Sequence, residues 1–165
     1  MQTQIELFVK MALDIWNVYI SRTDALINSL SDEQLQQEVS PGRNSGVYLV
    51  GHLAAVHDGM LPLLGFGDKL YPELENVFLK NPDKSSLPKP PIQQIRENWK
   101  TLNEKLASHF SKMTAEDWFQ KHSAVSEEDF KKEPHRNKLN LIINRTNHLS
   151  NHYGQMIFLK ASADE

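Results

Sequence analysis

Apolar residues recur every three or four positions over four long stretches of this chain, and that pattern restricts it to a helical fold. The first stretch runs from Gln4 to Leu30. Ile5, Phe8, Ala12, Ile15, Tyr19, Leu26 and Leu30 mark one apolar stripe along it. The second covers Ser45 to Leu64. The third opens at Pro91, a residue suited to a first helical turn, and continues through Ile92, Ile95, Trp99, Leu102, Leu106, Phe110 and Met113. The fourth spans Lys138 to Lys160. No run alternates with period two over a useful length, and no Asn-Gly or Asp-Gly pair lies between two such runs to mark a hairpin turn. Four such helices in 165 residues predict an all-α chain: a four-helix bundle forming a single domain over residues 1–165.

Between the second and third helices lies a long connection, residues 65–90. Pro72, Pro82, Pro88 and Pro90 exclude a long helix there, although Glu73 to Leu79 can form a turn or two. A connection of this length in a bundle is a crossover or a lid. Residues 126–136 form a second, charged insertion.

The first and third helices are each followed by a similar segment, Ser31-Asp32-Glu33-Gln34-Leu35 and Thr114-Ala115-Glu116-Asp117-Trp118. Each reads as a capped helical turn, with a hydroxyl N-cap and acidic or amide residues behind it. A loop follows in each case, then an Asn (Asn44, Asn137) and a histidine-bearing helix. His52-Leu53 and His148-Leu149 fall at matching places, which reads as a diverged two-fold repeat of helix pairs.

Composition narrows the class of function. Net charge is −3 and the pI about 6.2, which argues against nucleic-acid or anionic-membrane partners. Every apolar run is interrupted before transmembrane length, and the N-terminus lacks a basic signal region, so the expected compartment is the cytoplasm. Cysteine is absent. A metal must therefore be held by His, Asp, Glu, Asn or Gln, and any reacting thiol must arrive with a cosubstrate.

The histidines carry the chemical signal. His148 and His152 are four residues apart, so about 40° apart around a helix and one turn above the other. They border the apolar face of Ile142, Thr146, Leu149, Tyr153, Met156 and Ile157. His52 lies in an apolar stripe with Tyr48, Leu49, Val56, Met60 and Leu63. An imidazole there needs a partner. On residues alone two readings stand: ligands of one metal ion, or partly buried histidines bonded to neighbouring groups. His57 falls about 140° from His52 and belongs elsewhere. His109, His122 and His135 read as surface residues. Trp16 and Trp99 fit core stripes, and Trp118 and Phe119 pack the second short helix. The second long helix is apolar nearly all round, which predicts cover on both sides, one of them from the second subunit of a homodimer.

With Val50-Gly51-His52-Leu53 in the second long helix and His148-x-x-x-His152-x-Gly154-Gln155 in the last, the chain resembles the DinB/YfiT-like superfamily of metal-dependent enzymes over essentially its whole length. The resemblance implies a four-helix bundle with an unusual crossover, often dimeric, holding a divalent metal on three histidines. Carried over by position, the ligands are His52, His148 and His152. Relatives use the metal in thiol-dependent transferase or isomerase reactions with low-molecular-weight thiols, and others are described only as hydrolases. The 126–136 insertion has no counterpart in that pattern.

The expected function is therefore that of a metal-dependent transferase or hydrolase acting on a small molecule. A thiol cosubstrate is activated by zinc, nickel or iron, since a divalent ion lowers the pKa of a water or thiol bound to it. The alternative is a non-catalytic dimeric bundle, a stress or interaction protein that keeps its histidines for structure. Asn144, Gln155 and Tyr48 are candidates for outer-shell partners of the ligands. No Glu follows His148, which excludes the HExxH protease arrangement. Asp58 and Tyr48 are the available candidates for a general base.

Overall fold

The computed structural model describes residues 3–161. In chain order its helices are α1 (Gln4–Ser29), α2 (Asp32–Gln36), α3 (Gly46–Leu64), α4 (Leu74–Phe78), α5 (Ile92–Phe110), α6 (Ala115–Trp118), α7 (Glu127–Lys132), α8 (Lys138–Met156) and α9 (Phe158–Ala161). The four long helices α1, α3, α5 and α8 form the bundle. α8 packs between α1 and α3, and α5 covers the other side of α3. α5 stops three residues earlier than the apolar period suggested, and the last helix breaks at Ile157 before restarting as α9.

Local chemistry sets these boundaries. Thr3 caps α1 and Ser31 caps α2, each in a reciprocal capping box with the residue three positions on. α1 has no basic residue in its last turn. Arg96 of α5 fills that role, donating to the carbonyls of Ile27 and Leu30. α3 ends at Gly65 in the left-handed region, φ 80°, where a side chain would be strained.

The repeat is visible in these caps. Thr114 caps α6 with the same reciprocal box as Ser31. An isolated bridge then pairs Glu38 with Ser45 in the first half and Lys121 with Asn137 in the second. Ser45 caps α3 and Asn137 caps α8. The residue matching Asn137 is thus Ser45 rather than Asn44.

One core runs through the bundle. Trp16, Leu49, Leu53, Leu61, Trp99, Leu102, Ile142 and Leu149 are all buried in it. Each large side chain buried this way contributes roughly 1.5–3 kcal/mol of transfer free energy. His57 is fully buried, held between the rings of Trp16 and Trp99 at 5.0 Å each, and its Nδ1 lies 2.8 Å from the Asn103 side-chain oxygen.

Two expectations about apolar faces are corrected. α3 is apolar all round because α5, α8 and the crossover with α4 cover it within one chain, so it needs no second subunit. By length and composition alone it could cross a membrane, yet it is the central helix of the core. The N-terminal half of the α1 stripe, by contrast, is not core. Ile5, Phe8 and Ile15 are about half exposed, together with Leu7, Met11 and Val18. The buried side of α1 is Val9, Trp16, Thr23, Leu26 and Ile27.

The crossover is tied to the bundle. Asp58, which is 1% exposed, accepts from the backbone N–H groups of Leu70 (2.7 Å) and Tyr71 (3.0 Å). The Tyr48 hydroxyl donates to the Asn81 carbonyl at 2.7 Å, and Asp83 accepts from Ser45 N–H at 2.6 Å. The Asp58 bonds hold the segment before α4 against the C-terminal half of α3, and the Tyr48 and Asp83 bonds hold the segment after α4 against its N-terminal half.

Candidate metal centre

α3 and α8 run in opposite directions. The start of α3 lies beside α9, with Gly46 against Leu159, while its far end is bonded to Ser123, near the start of α8. His52, in the first half of α3, therefore meets the second half of α8. His52 Nε2 lies 3.0 Å from His148 Nε2, which lies 3.1 Å from His152 Nε2. All three rings are half-buried, and they form the group of residues able to hold a metal ion among those described. Ring centroids are 4.5–5.0 Å apart.

Outer contacts fix the direction of two of the rings. The His52 Nδ1–H donates to the Phe78 carbonyl at 2.9 Å, and the His152 Nδ1–H donates to Gln155 Oε1 at 3.0 Å. With the proton on Nδ1, Nε2 presents a lone pair to the centre. Lone pairs of neutral imidazoles this close repel one another unless a cation, or a proton on His148 Nε2, lies among them. Tetrahedral coordination at about 2.0–2.1 Å places ligand nitrogens about 3.3 Å apart, near the observed spacing. The donor set fits a divalent ion with three protein ligands.

The protonation states agree with this. Burial first, and then the charges of His152, His52 and Arg145, lower the pKa of His148 from 6.5 to about 4. His52 is lowered chiefly by burial, against the raising effect of the Phe78 carbonyl. At neutral pH these two imidazoles are uncharged, the form that binds metal.

The Phe78 carbonyl is the contact that sequence reading missed. It reaches His52 because Gly51 has no side chain: a Cβ there would overlap the Phe78 ring. A glycine inside a helix pattern signals such an approach, but not what approaches. Of the expected outer-shell partners, Gln155 bonds to His152 as described. Tyr48 stacks near His52, with centroids 6.3 Å apart and planes at 15°, and spends its hydroxyl on the crossover. Asn144 is exposed, its amide bonds to the Asn140 carbonyl, and it makes no hydrogen bond to a histidine. Spacing put it on the right stripe, but its side chain returns to its own helix. Asp58 is also unsuited to base chemistry, since both its oxygens hold the crossover backbone.

The remaining histidines separate. His109 stacks on Phe66 at 4.3 Å, and His135 is exposed. His122, expected at the surface, is half-buried with its Nδ1 shielded and without a hydrogen-bond partner.

No curated protein matches the chain. The family model described as the DinB superfamily matches residues 19–156, a span that holds α3, α5, α8 and all three converging histidines. The match covers most of the sequence and contains the whole site, so the chain belongs to the DinB superfamily.

Proposed function

We propose that this protein is a metal-dependent transferase or hydrolase acting on a small molecule, with a low-molecular-weight thiol as cosubstrate. The convergence of His52, His148 and His152 Nε2 carries the reading. His52, His148 and His152 would hold zinc, nickel or ferrous iron, all of which accept imidazole. Bound there, such an ion would supply Lewis acidity, lowering the pKa of a thiol or water that reaches it. The chain's own contribution is positional. The Phe78 carbonyl and Gln155 hold two rings in the ligating tautomer, and the stacked Tyr48 limits rotation of His52. The absence of cysteine supports a thiol that comes from solution.

Metal analysis of protein purified without a polyhistidine tag tests this reading. One divalent ion per chain is expected, lost in His52→Ala, His148→Ala and His152→Ala with helical circular dichroism retained. A bundle whose histidines serve structure alone binds no metal, or unfolds when a chelator removes it.

A second copy of the chain is the proposed partner. Phe8, Met11, Ala12 and Ile15 of α1 join Ile143 of α8 around a shallow apolar depression of about 280 Å³. The four large residues among them, Phe8, Met11, Ile15 and Ile143, are 37–58% exposed. Contiguous exposed apolar surface of this kind marks an interaction face.

A further inference from the structure

Arg145 sits on α8 one turn before His148. It is about 60° from His148 around the helix and about 20° from His152, so it points toward the same side. Its Nε is buried and has no hydrogen-bond partner. No carboxylate among the described residues pairs with it, although neighbouring cations are paired: Arg136 with Glu133 and Lys121 with Glu127. Burial alone lowers its pKa, with no opposing anion. A guanidinium stays charged under such conditions, so a partly desolvated positive charge lies beside the histidine centre without compensation.

The helix opposite leaves room beside it. The residues of α3 that keep part of their surface are His52, Val56, Gly59, Pro62 and Leu63, while the rest of α3 is buried. Val56, Gly59 and Leu63 lie within about 40° of His52, so they face the way His52 does, toward α8. A Cβ added to Gly59 would meet nothing within 4 Å. His52, Val56, Gly59 and Leu63 thus form a partly exposed strip of α3 on the side facing α8, which carries Arg145 and the other two histidines, themselves partly exposed. His148 Nδ1, one turn on from Arg145, is also buried without a partner. Near the start of α8, burial and then Arg136, Arg145 and Lys121 lower the pKa of His122, and of these three cations only Arg145 has no carboxylate partner among the described residues.

We infer that the partly exposed strip between α3 and α8 takes a small carboxylate-bearing substrate, with Arg145 binding the carboxylate and Val56, Gly59 and Leu63 lining the body of the molecule on its way to the three histidines. This assignment rests on the proposed metal-dependent chemistry for its location, not for its binding energy. Guanidinium and carboxylate match in planar, two-point hydrogen bonding, and the two terminal NH2 groups of Arg145 have no partner among the described residues. Arg145 is thus a substrate-positioning residue.

The test uses the full chain, butyrate and its neutral counterpart butyramide. Butyrate should shift the Arg145 Nε–H nuclear magnetic resonance signal saturably, in metal-free and in zinc-loaded protein, while butyramide should not. Arg145→Met should weaken butyrate binding about ten- to hundredfold, and Arg145→Lys by less. Both variants should keep the zinc stoichiometry of the unaltered chain. Equal binding of butyrate and butyramide, or unchanged butyrate affinity in Arg145→Met, would overturn the assignment. Absence of zinc binding would instead count against the metal reading alone, because the butyrate titration is also read on metal-free protein.

Discussion

His52 donates its Nδ1 proton to the Phe78 carbonyl across 2.9 Å, joining the bundle core to the crossover at the edge of the metal centre. This bond holds the His52 tautomer, and Gly51 makes it possible. Gly51→Ala should displace the Phe78 ring, costing about 1–3 kcal/mol of stability through overpacking. Metal affinity should fall about tenfold or more as the outer contact is lost. Denaturant titration and calorimetric metal binding check the two effects on the same protein.

Gln155 and Asn144 lie on the same stripe of α8 but have different partners. Gln155→Ala should lower metal affinity about ten- to hundredfold by freeing the His152 ring. Asn144→Ala should leave affinity unchanged. Equal effects from the two substitutions would show that the Gln155 contact does not orient the ligand.

His57 gives the fold a pH dependence separate from the metal centre. Burial holds its pKa at about 3, below the usual 6.5. The unfolded chain therefore binds a proton that the folded chain refuses between those values. Stability from this group is fully present above pH 6.5 and is lost as pH falls, by about 1.4 kcal/mol per unit. His57→Gln removes the titration. Its stability should be lower at pH 7, with a shallower loss between pH 6.5 and 4 in denaturant titrations.

The α1 face predicts association. Phe8→Glu combined with Met11→Glu should halve the solution mass seen by light scattering and leave helicity intact, because both residues are about half exposed. An unchanged mass would exclude this face as the contact between copies.

The periodicity of Ile92 to Phe110, the hydroxyl caps at Ser31 and Thr114 and the four-residue spacing of His148 and His152 were legible in the sequence. Each depends on residues within a few turns of one another, where helix geometry is fixed. The sequence determined in this way the all-α class, the positions of the long helices and the pairing of two imidazoles on one face. The tertiary structure alone decided that Ile5 and Phe8 stay exposed while most of α3 is buried within one chain, because exposure depends on which helix packs where. It also decided that the Phe78 carbonyl, 26 residues from His52, is that ring's outer partner, and that Asn144 is not a partner to the site. Contacts between residues distant in the chain arise from packing, and no local period encodes them.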